Sequence, residues 1–328
     1  MKKILAYFKG SPLNFLLLAL PLAILAKVFE WGELWVFIMS ALAVIPMAGF
    51  IGEATESLAS YTGPKLGGLL NATLGNAAEL IITVVAIREG LLALVLASIT
   101  GSILGNVLLV MGMSMVLGGL RNGTQSFDGK HASNNAILLV LAVIALVIPS
   151  VLSSSIGPQD SVQVEELSLG VAAIMIVLYA LGIFYGFKSK GGATMHSHSG
   201  TETATTVRDT PAHDHTTHTT WSLRTALIVL AISTVGVAFL SELLVGAVEP
   251  VVASLGVSEF FLGVILIPIV GNVAEHLVAV KVAIENQMDL SVEIAIASSL
   301  QIALFVAPVL VFISLLLGNP LQLIFNQF

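Results

Sequence analysis

The sequence has no cysteine, which excludes a disulfide framework, a thiolate metal site and a cysteine nucleophile. Charge is scarce too: Asp, Glu, Lys and Arg make up 10% of the 328 residues, against about a quarter in a soluble domain. Aromatic residues reach 7%, and 13 basic residues against 20 acidic ones leave a formal charge of -7, which argues against a nucleic-acid partner. What fills the chain is apolar: 56% hydrophobic residues, with 29 glycines that let helices approach closely. The apolar runs reach about 20 residues, long enough for helices to cross about 30 Å of hydrocarbon and too long for barrel strands. The expected fold class is all-α, a polytopic membrane protein in a lipid bilayer.

The apolar runs and their breaks predict spans at Pro12 to Phe29, Leu34 to Ser60, Leu66 to Ile87, Leu91 to Leu120, Asn135 to Leu152, Leu167 to Phe187, Trp221 to Ser254, Phe260 to Ile284 and Leu290 to Leu317. That is about nine helices. Met1 to Gly10 carries Lys2, Lys3 and Lys9, but no small-residue cleavage site follows, so the first span reads as a retained helix. With the amino terminus cytoplasmic, Lys65, Arg121, Lys130, Lys188, Lys190, Arg208, Arg224 and Lys281 also fall inside, and Lys27 and Arg88 fall outside. That bias sets the topology, and the expected location is the plasma (inner) membrane.

Ser189 to Thr220 is rich in Ser, Thr, Gly and His, with little to bury, and reads as a cytoplasmic linker between two halves. It holds His196, His198, His213, His215 and His218. Such a tract can bind Zn²⁺, although the spacing fixes no geometry and a solvated linker explains it as well.

Gly75-Asn76-Ala77-Ala78-Glu79 recurs as Gly271-Asn272-Val273-Ala274-Glu275. The similarity extends into the following helices, where Gly101-Ser102-Ile103-Leu104-Gly105-Asn106 aligns with Ser298-Ser299-Leu300-Gln301-Ile302-Ala303. Under the expected topology the two glutamate helices run in opposite directions, the sequence mark of inverted-repeat transporters. Asn76 and Glu79 share a helix face, as do Asn272 and Glu275. With Ser102, Asn106 and Ser299 they offer hard oxygen donors, which suit Ca²⁺ better than Zn²⁺. The glycines before each asparagine permit unwinding there. Two buried glutamates cannot easily both stay charged and empty, so one Ca²⁺ or about two protons would neutralise them, and this competition is a mechanism for exchange. Ser98, Ser102 and the glycines of the Gly101 and Gly105 pair could equally serve only to pack helices.

Glu53 and Glu56 share a face near the inner end of their helix, and Glu242 is expected at a comparable place after the linker; all three could line an ion entrance, relay protons or form interfacial salt bridges. Glu293 reads as interfacial and Lys281 as snorkelling to water. His276 points about 100° from Glu275 and is a possible ligand or relay. Asn272-Val273-Ala274-Glu275-His276 approaches a zinc protease motif but lacks its first histidine. No enzymatic chemistry and no cofactor are expected.

The paired GNxxE motifs, Glu275-His276, the Gly101 to Asn106 stretch and Ser298-Ser299-Leu300-Gln301 together resemble the calcium/proton exchangers of the calcium/cation antiporter superfamily. The resemblance implies a regulatory helix at 1–30, a first repeat half at 31–188, the linker at 189–220 and a second half at 221–328. It implies Ca²⁺ and protons as the exchanged ions, Glu79 and Glu275 as the residues that bind both, and Asn76, Asn272, Ser102, Ser299 and Gln301 as lining residues. It also implies that Leu34 to Ser60 and Trp221 to Ser254 are long sliding helices. Ala303 stands where sodium/calcium exchangers carry an acid, which favours proton coupling; a Mn²⁺ or Zn²⁺ exchanger, a Na⁺/Ca²⁺ exchanger and a passive channel are the alternatives. Eleven helices are expected of the family, so the chain to Phe328 is expected to lack two. One flank of Leu290 to Leu317 would then lie bare, with Ser298, Ser299 and Gln301 open to lipid and the chain poorly stable.

Overall fold

The structure, a computed structural model, describes residues 12–158, 161–188 and 221–325. The histidine-rich linker, the three amino-terminal lysines and Asp160 lie outside the described residues. Within them every regular element is helical. A turn at Pro12–Leu18 leads into α1 (Ala19–Val28), followed by α2 (Glu33–Leu74), α3 (Ala77–Arg88), α4 (Leu92–Leu104), α5 (Met111–Asn122), α6 (Gly129–Ile156) and α7 (Val162–Lys188). After the linker come α8 (Leu223–Gly246), α9 (Val248–Leu255), α10 (Ile267–Ile284), α11 (Met288–Gln301) and α12 (Ala307–Leu317). Among the described residues seven helical stretches are long and apolar enough to cross a membrane: Glu33–Gly63, Leu92–Asn122, Ala132–Ser153, Val162–Tyr185, Leu223–Leu255, Glu259–Ile284 and Met288–Leu317. The short apolar helix Leu13–Val28, and the broken pair formed by the end of α2 with α3, account for the other two predicted spans.

Local chemistry explains the breaks. Gly63 has φ 78° and ψ 170°, a conformation that a residue with a side chain rarely adopts. The chain reverses there, since a Cβ on Gly67 would lie 2.9 Å from the Ala59 carbonyl oxygen, whereas eight residues of straight helix span about 12 Å. The second break falls at Asn76, whose ψ of 22° separates α2 from α3. Both motif glycines permit unwinding, yet only the first half uses it: in the second, α10 runs unbroken through Gly271 and Asn272. In that half the irregularity lies one to two turns earlier, as a wide π-helical turn at Leu262–Leu266. Pro268 is its cause: it has no N–H for the Val264 carbonyl four residues back, and its ring crowds that group. Pro308 follows a second wide turn, Ile302–Val306, in the same way, and a third spans Gly105–Val110.

Lipid tails are as apolar as leucine, so close packing and polar bonds hold the helices together. α1 lies on α2 through Ala19, Ala23 and Ala26, while α2 and α8 cross with Gly236 against Met47. At one end of the bundle Tyr61 donates a hydrogen bond to the Trp221 carbonyl (3.0 Å), and Asn122 and Gln125 cap the end of α10 at Ile284 and Ala283 (2.9 and 2.8 Å). At the other end Arg88 pairs with Glu242 at 3.0 Å. Successive spans therefore alternate in direction, with the long first arm of α2 antiparallel to α8.

Two expectations are corrected by this packing. Ser298, Ser299 and Gln301 are covered, at 5%, 0% and 6% exposure, because α6 and α7 pack on α11 and α12. The extended segment after α12 adds to the cover. Leu321, Leu323 and Phe325 receive or give backbone bonds through the hydroxyls of Ser314, Ser168 and Ser150, and Leu323 is fully buried. Glu242, in turn, is not at the end that holds Glu53 and Glu56. Inversion of the repeat reverses its helix, which carries it to the opposite end beside Arg88.

Candidate ion-binding site

α3 and α10 carry the two motif glutamates into one polar cluster. A Cβ on Gly75 would stand 3.5 Å from Glu275 Oε1, and one on Gly271 would stand 3.5 Å from the Cβ of Glu79. One pairing climbs four residues on α3 while the other descends four on α10, so the helices cross antiparallel at the motif. The glycines leave the room that lets each glutamate lie over the opposite backbone.

Glu79 is buried, at 1% exposure, and Glu275 is partly exposed. Glu79 is well supplied with donors. The Ser102 hydroxyl donates to Oε1 through a short hydrogen bond, Ser98 lies 3.5 Å from the same oxygen, and Asn272 Nδ2 reaches Oε2 at 3.4 Å. Asn272 also reaches Ser102 Oγ at 3.3 Å. Glu275 receives the Ser298 hydroxyl at 2.9 Å; Ser298 in turn accepts from Asn106 Nδ2 at 3.0 Å, and Asn106 Oδ1 lies 3.0 Å from His276 Nε2. Asn76 donates to Gln301 Oε1 at 2.7 Å, while its own Oδ1 is buried without a hydrogen-bond partner.

Of the residues singled out in the sequence, Glu79, Glu275, Asn76, Asn272, Ser102, Asn106, Gln301 and His276 fall within this cluster. Ser299 does not face it: its hydroxyl donates to the Ala295 carbonyl of its own helix at 2.9 Å. Its neighbour Ser298 stands in the place of Ser102, because in each half the serine lies 23 residues after its glutamate. Ser98 reaches the cluster by lying one turn from Ser102 on the same face. Glu53 and Glu56 are exposed on α2. Glu242 is bound to Arg88, whose pKa is raised above its ordinary value by the carboxylate of Glu89 first and by that of Glu242 second.

Two glutamate-bearing helices of opposite direction, each inside a half with the same run of motifs, define a membrane transporter of the inverted-repeat kind. A model of the sodium/calcium exchanger protein family matches residues 32–188 and 225–327. The Ca(2+)/H(+) antiporter of Aphanothece halophytica is 43% identical over 319 residues, covering 95% of this chain and 84% of that protein. Ca(2+)/H(+) antiporter ChaA of Bacillus subtilis is 42% identical over 307 residues, covering 93% and 84%. The solved structure of native YfkE superposes with a TM-score of 0.78 at 39% identity, over 96% of this chain and 86% of that one. The chain belongs to the sodium/calcium exchanger family, among its calcium/proton exchangers, and is an integral membrane protein.

Proposed function

We propose that this protein exchanges Ca²⁺ for protons across a membrane, and that Glu79 and Glu275 bind either the metal or protons. The observation that carries this reading is the orphaned carbonyl oxygen of Asn76, buried next to Gly75, whose Cβ position both Glu275 Oε1 (3.5 Å) and Gln301 Oε1 (3.7 Å) approach. An unpartnered buried acceptor costs about 1–3 kcal/mol, and a cation held jointly with the glutamates supplies the missing partner. Glu79, Glu275, Asn76, Asn272 and Ser102 then form the oxygen shell, with Ser298 replacing Ser299. Gln301 holds Asn76 by its amide, which turns the carbonyl toward the ion.

Alternating access has its support in an asymmetry between the halves. Gly263 and Gly67 are repeat counterparts, yet a Cβ on Gly263 would lie 2.5 Å from the Ala97 Cβ on α4, whereas Gly67 faces Ala59 of its own bend. The two counterparts therefore press on different partners, one on a neighbouring helix and one on its own bend, in keeping with a buried Glu79 and a partly exposed Glu275. The same reading includes a cytoplasmic amino terminus, a regulatory role for residues 1–30, a division at 189–220 and a plasma-membrane location, supported by the charge bias and the repeat boundaries.

The test is uptake into proteoliposomes under an imposed proton gradient, with Ca²⁺, Mn²⁺, Zn²⁺ and Na⁺ compared. Ca²⁺ should accumulate uphill and stop when a protonophore collapses the gradient; downhill flux alone would mean a channel. Because protons and Ca²⁺ compete for the same carboxylates, Ca²⁺ affinity should fall as pH falls, and Ca²⁺ addition to weakly buffered protein should release protons. Binding that is independent of pH would rule out the shared site. In the same assays Ser298→Ala should weaken Ca²⁺ binding about tenfold, as expected for the loss of a hydrogen bond to a charged group. Ser299→Ala should leave binding close to that of the unsubstituted protein.

A further inference from the structure

Each glutamate is held by a serine of its own half, and each of those serines accepts a hydrogen bond from an amide of the other half. Asn272 of the second half donates to Ser102, and Asn106 of the first half donates to Ser298. The two amides are not repeat counterparts, since Asn272 matches Asn76 by motif and Asn106 matches the apolar Ile302. The second support therefore arose outside the repeat.

We propose that Asn106 is the positioning residue for the Glu275 carboxylate, acting through Ser298, with its own amide oriented by His276. The hydrogen-bond inventory fixes the direction of the chain. A serine hydroxyl has one proton; if Ser298 gives it to Glu275, its oxygen must accept from Asn106 Nδ2. Asn106 Oδ1 then faces His276, whose Nε2 must carry the hydrogen at that 3.0 Å contact. The alternative amide orientation would turn a carbonyl toward Ser298 and draw its proton away from Glu275. Asn106 is 1% exposed and sits in the wide turn Gly105–Val110, one turn beyond Ser102, from where its amide reaches Ser298 on α11. Glu79 has no such dependence, because Asn272 touches its carboxylate directly. The consequence is directional: loss of Asn106 should loosen Glu275 and leave Glu79 in place.

This inference rests on the reading of Glu275 as a Ca²⁺ ligand, and a double-mutant cycle on the purified full chain separates the two. Radiolabelled Ca²⁺ binding at fixed pH is measured for Asn106→Leu, which keeps the volume, and for Asn106→Ala wherever the leucine variant does not fold. Each is combined with Ser298→Ala and, separately, with Ser102→Ala. Asn106→Leu alone should weaken binding about tenfold. Combined with Ser298→Ala it should add nothing to the serine variant, because Asn106 acts only through that hydroxyl; combined with Ser102→Ala the two losses should multiply. His276→Leu should reproduce the same pattern of coupling with Ser298→Ala. Losses that multiply with Ser298→Ala, or an Asn106 variant that binds Ca²⁺ like the unsubstituted chain, would overturn the positioning role while leaving the exchange reading intact. No saturable Ca²⁺ binding by the unsubstituted chain would sink that reading and the proposal with it.

Discussion

Glu79→Gln and Glu275→Gln, each made singly in the full chain, should abolish proton-driven Ca²⁺ uptake while leaving a folded, monodisperse protein. Glutamine preserves the shape and one carbonyl oxygen. It removes the negative charge that offsets Ca²⁺ in a low-dielectric surrounding, and it cannot take up and release a proton in the working range. Removing one partner of a buried charge pair costs about 3–5 kcal/mol, so the expected loss of Ca²⁺ affinity is about a hundredfold or more. The Glu79 variant should fold at least as well as the original, because a neutral amide is less costly than a carboxylate at a position with 1% exposure. Uptake by either variant at a rate near the original would defeat the two-glutamate mechanism. Loss of uptake together with aggregation would point to a packing role and defeat it as well.

The second large effect is expected far from any charge. Gly101→Ala places a Cβ 2.1 Å from the Val264 carbonyl oxygen and 2.6 Å from its Cα, and both are backbone atoms that cannot rotate aside. The helices α4 and Glu259–Ile284 must separate, at a cost of about 3 kcal/mol or more. A fall in melting temperature and the loss of Ca²⁺ uptake should therefore appear together. Gly105→Ala is the control: nothing lies within 4 Å of its Cβ position, so that variant should fold and transport normally. Equal behaviour of the two alanine variants would contradict the close approach of the two helices at Val264.

The contrast between those two glycines shows what the sequence could reveal. Spacing identifies Gly101 and Gly105 as a pair that packs helices, but it does not tell which of them meets a backbone, since the partner, Val264, lies on a distant span. The repeat and its glutamates were legible because a carboxylate inside an apolar run is costly and two copies in matching surroundings are improbable. Helical spacing puts Asn76 beside Glu79 and Asn272 beside Glu275, whereas Ser102 stands on another helix and is reached through the repeat and the family resemblance. Ser298 is hidden when the second motif is aligned on its serine pair, but the 196-residue offset between Glu79 and Glu275 carries Ser102 to Ser298. The chain from His276 through Asn106 to Ser298 had no local signal, since it joins three helical segments. Glu242 illustrates a related point: likeness of position in two halves gives the end of the bundle only once the helix direction is reversed as inversion demands.

Gly63 bears on how force travels through the molecule. An unbroken α2 of 42 residues would be a stiff rod about 63 Å long, twice the hydrocarbon thickness of a bilayer. With its joint at Gly63 it becomes two levers on one pivot, the long one lying along α8 and the short one leading into the Glu79 helix. A tilt of the long lever can be absorbed at that joint, so it need not pull Glu79 along the chain. Movement of that lever and occupancy of the glutamates can then inform one another sideways, through the side chains of Ile51, Ala77, Ala78 and Val237 where α2, α3 and α8 meet and through the packing of α2 on α10.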